Sequence, residues 1–313
     1  MRVFVAGATG AVGRRLVPQL VAAGHEVVAS TRTSGKTDLV RTMGATPVVL
    51  DGLDGTAVGE AVAQAAPDAI IHQMTALADM GDLRKFDRTF AMTNRLRTEG
   101  LDNLIDAARA AGVSRFVAQS FTGWTNARTG GPIKSEADGL DPHPLRHQTL
   151  TSGAIAHLER SVTDIGGVAV RYGFLYGPGA SDPMIETVRA RKMPVGGDGA
   201  GIWSWCHVDD AASAAVAALD HGDGVYNIVD DDPAPISEWL PYFADVIGAK
   251  PPRHLPAWLV GLAAGEVAES WMTTMRGSSN AKAKAELAWT PRWSSWRDGF
   301  AHGLSCPTSE EPR

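Results

Sequence analysis

Met1-Arg2-Val3-Phe4-Val5-Ala6-Gly7-Ala8-Thr9-Gly10-Ala11-Val12-Gly13 opens the chain, and its reading decides the fold class. A short apolar run leads into three glycines spaced Gly-x-x-Gly-x-x-Gly, and an Ala- and Leu-rich stretch, Ala11–Ala23, follows. The pattern is a strand, a tight turn and a helix. Glycines at such a turn permit a sharp reversal, close approach of backbone to a pyrophosphate, and close packing of helix on strand. The helix N-terminus adds unpaired N–H groups and a positive dipole. Gly7, Thr9, Gly10, Ala11, Val12 and Gly13 are therefore expected to hold a nucleotide's phosphates.

The same alternation continues outward from this unit. Further β-branched runs stand at Glu26–Ala29, Thr46–Leu50, Ala69–His72, Phe116–Gln119 and Val168–Arg171. Helical patterns lie between them at Thr56–Ala66, Phe86–Ala111 and Leu150–Asp164. Continuous apolar strands separated by helices predict a parallel sheet covered on both faces. Six such strands make a doubly wound, Rossmann-type α/β domain over residues 1–175. Residues 176–304 read as a smaller, partly interleaved, mainly substrate-binding portion, and 305–313 as a flexible tail. A helix over Asp209–Leu219 and a strand over Val225–Val229 are placed to return to the first domain. Further helices are expected over Ser237–Ile247 and Pro256–Met275.

Composition narrows the function classes. The chain has 313 residues with 29 Lys plus Arg against 35 Asp plus Glu, a formal charge of −6. Nucleic acid wants a basic face, so it is excluded as the main partner. Cys206 and Cys306 lack metal-ligand companions and read as structural thiols, and no metal site is expected. No apolar stretch is long enough to span a membrane. A cytoplasmic protein acting on a small molecule is the expectation.

The end of the second strand selects the cofactor. NAD sites place an acid there for the ribose 2′-hydroxyl. This chain reads Ala29-Ser30-Thr31-Arg32-Thr33, and Arg32 is suited to pair with a 2′-phosphate. NADP is favoured over NAD. Asp51 and Gly52, at the end of the third strand, are placed at the adenine edge, and Thr75 and Tyr172 are further expected cofactor contacts.

With these motifs the chain resembles an extended short-chain dehydrogenase/reductase of the NAD-dependent epimerase/dehydratase family, over nearly its whole length. The matching pieces are the glycine turn, Asp68-Ala69-Ile70-Ile71-His72, Asn94, and Asn103-Leu104-Ile105-Asp106-Ala107-Ala108. Arg171, Tyr176-Gly177-Pro178, His207-Val208-Asp209-Asp210, Val225-Tyr226-Asn227-Ile228 and Ala281–Pro291 continue the match in order. The resemblance implies proton transfer by a Tyr assisted by a Lys four residues on. The chain's tyrosines are Tyr172, Tyr176, Tyr226 and Tyr242, and none is followed by Lys at that spacing. If Glu159 marks the register, the two slots fall on Thr151 and Ile155. An alternative register brings His147 or Gln148 to the Tyr slot, still without the lysine.

Candidate replacements are Thr122, which matches the family's Ser/Thr position, Ser120, and His147, whose imidazole suits acid–base work. Relatives acting on nucleotide sugars often carry Arg before the His-Val-x-Asp stretch, where this chain has Ile202-Trp203-Ser204-Trp205-Cys206. Trp124 and Trp203 are expected to face a substrate that is not a nucleotide sugar. The leading expectation is an atypical NADP(H)-dependent oxidoreductase acting on a small organic molecule. The alternatives are an epimerase, dehydratase or lyase that recycles its bound cofactor, and a non-catalytic NADP-binding redox sensor. A homodimer is compatible with the long helices.

Overall fold

The computed structural model describes residues 1–77 and 81–305, so Cys306 and the rest of the expected tail lie outside the described residues. Seven strands form one parallel sheet: β1 (Arg2–Ala6), β2 (Glu26–Thr31), β3 (Thr46–Val49), β4 (Ala69–His72), β5 (Arg115–Phe121), β6 (Val168–Tyr172) and β7 (Gly224–Ile228). Their order is β7-β6-β5-β4-β1-β2-β3. The order reverses between β1 and β4, which stay paired to Ala6 and His72; the connections that follow them leave to opposite faces of the sheet, and the crevice forms between those connections. β7 pairs with β6 from Gly224 opposite Val168 to Ile228 opposite Tyr172.

Period-two alternation puts the strand side chains into two cores. Val3, Val5, Ile71, Val117 and Val170 face helices α1 (Gly13–Ala22) and α6 (Val208–Asp220). Phe4, Ala6, Ile70, Phe116 and Ala169 face α2 (Gly55–Ala65), α4 (Glu99–Ala111) and α5 (Thr149–Asp164). Both faces are therefore dry, which is why the strands read as unbroken apolar runs. Asp54 caps α2 by accepting from the Ala57 amide at 3.0 Å. Gly112, at φ +67°, ends α4 in the left-handed conformation.

A third core lies apart from the sheet. Phe86, Trp124, Phe174, Trp203, Trp239 and Trp271 meet there with Trp296 and Phe300. Short strand pairs frame it: Phe174–Tyr176 beside Trp205–His207, and Ile202–Trp203 beside Ala234–Pro235. Cys206 is a free, buried thiol whose Sγ lies 3.5 Å from the His207 carbonyl.

Two helices expected from the sequence are interrupted. Phe86–Ala111 divides into Phe86–Thr89, α3 (Ala91–Arg97) and α4. Phe86 and Phe90 bury in the aromatic core, whereas Leu101 and Leu104 bury beneath the sheet. One straight helix cannot face both, and the chain turns at Thr98 (ψ −85°), whose Oγ1 donates to the Asn94 carbonyl at 3.0 Å. Pro256–Met275 divides at Gly265, where φ is +91°, into Ala257–Ala264 and Glu266–Thr273. A helix over Asp182–Arg189, with Pro183 in its first turn, carries no signal strong enough to have been expected.

Candidate active site

The glycine turn has the geometry its spacing implies. A Cβ on Gly7 would stand 2.7 Å from the Gln73 carbonyl carbon, and one on Gly13 would stand 2.5 Å from the Gly7 carbonyl oxygen. Those two glycines permit packing of turn, helix and sheet. A Cβ on Gly10 would meet only the Gly7 oxygen at 3.7 Å, so the space above it is left for a ligand. The Gly7 amide donates to Ser30 Oγ at 3.1 Å, tying β2 to the turn. Val12, at the N-terminus of α1, makes no side-chain cap; the Arg14 and Arg15 amides bond back to the Gly10 and Val12 carbonyls, and the dipole of the helix end is directed toward the turn. These features fit a dinucleotide's pyrophosphate.

Gly10, Ala11, Val12 and Gly13 form one wall of a cavity of about 320 Å³, with Thr75 and Tyr172 also among its lining residues. Trp124 and Trp203 line it as well, together with Phe90, Phe121, Phe174 and Trp271. The structure thus brings the expected phosphate turn and both expected substrate tryptophans to one space. Gly7 and Thr9 are not among its lining residues. A second cavity, of about 660 Å³, shares Pro183, Met184, Trp203 and Trp271 with the first and is bordered by Arg84, Lys192 and Arg253.

Arg32 is exposed beyond β2 and makes no hydrogen bond or ion pair among the described residues. Asp51 is also exposed, and its Oδ1 accepts from the Leu53 amide at 3.1 Å. Gly52 is enclosed by Met74, whose sulfur would lie 2.4 Å from a Cβ there. Its carbonyl accepts from Asn103 Nδ2 at 3.0 Å.

The three expected proton-transfer residues do not line the aromatic cavity. Ser120 Oγ is buried and donates to Glu159 Oε1 at 2.7 Å. The same carboxylate takes Arg171 Nε and Nη2, each at 2.6 Å. Thr122 Oγ1, fully buried, lies 2.7 Å from Ser278 Oγ and donates to Asn126 Oδ1 at 3.2 Å. His147 is exposed in a 3₁₀ turn, its backbone amide facing Glu266 Oε1 at 3.4 Å. The two hydroxyls are thus committed to internal networks, and the imidazole stands outside the cavity. Thr151 is equally committed, donating through both its amide and hydroxyl to Asp87 and accepting from Asn94 Nδ2. Ile155 is fully buried.

Two ionisable side chains do line the cavity among its described residues, Tyr172 and Arg97. Burial pushes the Tyr172 phenol far above its ordinary range, only partly offset by Gln73 Nε2 donating to it at 3.0 Å. It keeps its proton at neutral pH. Arg97 is 3% exposed, and burial lowers its guanidinium to about 10 despite the Glu159 charge nearby, so it stays cationic. Arg97 escaped the sequence reading. The signal was available, because Arg97, Leu101, Leu104 and Ala108 recur in the sequence at three- and four-residue spacing, and a charge opens an otherwise apolar series.

A doubly wound parallel sheet, with a phosphate-ready glycine turn at its crevice and an aromatic cavity beside it, defines a dinucleotide-dependent enzyme of small molecules. The NAD dependent epimerase/dehydratase family model matches residues 3–229, and the chain belongs to that family. It is an NAD(P)-dependent oxidoreductase of the short-chain dehydrogenase/reductase type, and its cofactor is a nicotinamide dinucleotide. It is 43% identical to a 3-diazoavenalumate denitrifying reductase from a Streptomyces species, over 96% of this chain and 99% of that one. A 2-alkyl-3-oxoalkanoate reductase of Stenotrophomonas maltophilia is 26% identical over 94% and 91% of the two chains. In fold the chain is similar to the UDP-glucose 4-epimerase of Thermotoga maritima, with TM-score 0.75, 21% identity and 97% coverage of each chain. No helix among the described residues is long and apolar enough to cross a membrane.

Proposed function

We propose that this protein is an NADPH-dependent reductase of an aromatic molecule whose reacting group accepts a hydride without needing a proton from the protein, the arenediazonium class in particular. The observation that carries this reading is the ionisable inventory of the cavity. Its described lining offers one phenol held above its ordinary range and one guanidinium, with no imidazole, carboxyl or lysine to assist the phenol or to relay a proton near neutral pH. Reducing a ketone needs a proton at the developing alkoxide. An arenediazonium ion does not, because taking up a hydride turns it into arene and dinitrogen. The name of the 43%-identical relative, a denitrifying reductase of a diazo compound, supports the same choice. When bound, reduced nicotinamide supplies that hydride.

The chain's own part is to bind, orient and exclude water. Gly10, Ala11, Val12 and Gly13 hold the pyrophosphate, and Arg32 takes the 2′-phosphate that makes NADP the preferred cofactor. Phe121, Trp124, Phe174 and Trp203 stack closely, with ring centroids 5.3 Å apart for Phe121–Trp124 and 4.0 Å for Phe174–Trp203. Packed on one another in this way, they present an aromatic wall to the cavity, against which a flat ring can lie and a cationic substituent is attracted.

The test is turnover with a stable arenediazonium salt beside a panel of ketones, following NADPH absorbance and released dinitrogen against an enzyme-free control. One NADPH consumed per dinitrogen released, with slow or no ketone reduction, is the expected result. Efficient ketone reduction with no acceleration of dinitrogen release would overturn the reading.

A further inference from the structure

Arg97 is a buried cation whose donors the protein leaves unused. Its Nε and Nη1 have no hydrogen-bond partner. Other guanidinium groups, the buried Arg171 and the half-buried Arg115, are provided for. Arg171 is filled by Glu159, and Arg115 donates to the carbonyls of Ala218, His221 and Gly222. Glu159, the carboxylate whose charge Arg97 feels, already accepts from Arg171 and Ser120. A buried charge without a partner costs stability, so a fold retains it only where something else gains.

The position of Arg97 indicates what gains. Asn94 Nδ2 donates to Thr151 Oγ1 at 3.0 Å, locking α3 against α5. Arg97 follows three residues later at the end of α3, where the chain turns at Thr98, and its side chain lines the aromatic cavity. Gln73, on the same lining, uses its Nε2 on Tyr172 and leaves its Oε1 unpaired. The phosphates have their own place at the glycine turn, formed by different residues. A guanidinium holds a permanent, delocalised positive charge and several N–H donors in one fixed plane, which suits it to an anion such as a carboxylate.

Resting on the reading of this cavity as the substrate site, we propose that Arg97 is its anion-recognising residue and binds the carboxylate of an aromatic acid. The ring lies among the tryptophan and phenylalanine side chains while the carboxylate pairs with the guanidinium charge on the cavity lining. The residue sets specificity and orientation, and the site selects aryl acids over their neutral amides or alcohols.

The test reads binding, not turnover. Tryptophan fluorescence of the full chain loaded with NADP⁺ is titrated with trans-cinnamate and with cinnamamide, and NADPH affinity is measured separately. Cinnamate is expected to bind at least about tenfold tighter than the amide, the scale of one charge-assisted hydrogen bond. Arg97→Gln is expected to erase that preference while leaving NADPH affinity within about twofold, and Arg97→Lys to restore part of it. Arg97→Gln should also melt no lower than the wild type, because it removes unmet donors from the interior. Equal binding of acid and amide to the wild type, or a preference that survives Arg97→Gln, would overturn the proposal. So would a parallel loss of NADPH affinity, which would assign Arg97 to the cofactor, or a collapse in melting temperature, which would assign it to the scaffold. A failure of arenediazonium turnover leaves this binding result unchanged, so the two readings fail separately.

Discussion

Arg32 and Arg171 are both strand-end or strand guanidinium groups on the same sheet, yet burial gives them opposite roles. Arg32 is exposed and unpaired among the described residues, so losing it costs the fold little. Arg32→Ala should weaken NADPH binding about 10- to 100-fold, the worth of a charge-assisted hydrogen bond, and leave NADH unchanged. Titrating both cofactors against both proteins checks this, and unaltered discrimination would remove NADP from the assignment. Arg171 is buried against Glu159, so Arg171→Ala strands a carboxylate and should cost about 3–5 kcal/mol in denaturant unfolding. Ser120→Ala removes one hydrogen bond to that carboxylate, about 1–2 kcal/mol, and should leave turnover nearly intact. A folded Ser120→Ala protein without activity would return Ser120 to the chemistry. The glycine turn was legible because strand, turn and helix are adjacent in sequence. The networks that hold Ser120 and Thr122 were not legible for the opposite reason: their partners, Glu159 and Ser278, lie 39 and 156 residues away.

At the scale of elements, the decisive joint is Gly173, between β6 and the strand Phe174–Tyr176. Its position lets the chain leave the main sheet and pair with Trp205–His207, carrying Phe174 into the aromatic cavity. A Cβ on Gly173 would stand 2.4 Å from the Ser204 carbonyl oxygen and 2.9 Å from Val229 Cγ1. Neither neighbour can yield easily, one being backbone and the other fully buried. Gly173→Ala should therefore cost about 1–3 kcal/mol and weaken cinnamate binding more than NADPH binding, because the displaced strand carries Phe174. Equal loss of both ligands would show that the strain spreads through the sheet. The break at Thr98 is a joint of the same kind. The sequence supports helix on both sides of it, and only the demand that Phe86 and Leu101 face different cores forces the turn. Element type was readable from periodicity there, but the interruption was set by tertiary packing.

Across the whole molecule, the sheet was readable from alternating apolar runs, while the aromatic core was not. Trp124, Trp203, Trp239, Trp271 and Trp296 come from five separate segments, and no local pattern reports that they meet. The sheet also contains a titrating group whose effect spans the fold. His72, at the end of β4, is 1% exposed, and its Nε2 lies 3.1 Å from the Leu96 carbonyl. Burial first, with a lesser contribution from the Arg97 charge, holds the imidazole down at about 4. An unfolded chain would protonate it near pH 6.5. Below that pH the unfolded state binds a proton that the folded state refuses, so stability is complete above about 6.5 and falls progressively toward pH 4. The gap corresponds to roughly 3 kcal/mol at the acid end. Asp230 acts in the opposite sense, since burial keeps its carboxyl protonated well above the usual range and its contribution grows as pH falls. Comparing the wild type with His72→Gln cancels Asp230 and isolates the imidazole, because glutamine can still donate to Leu96. Between pH 6.5 and 4.5 the wild-type melting temperature should fall by several degrees more than that of His72→Gln. Parallel curves would mean that acid sensitivity arises elsewhere in the chain.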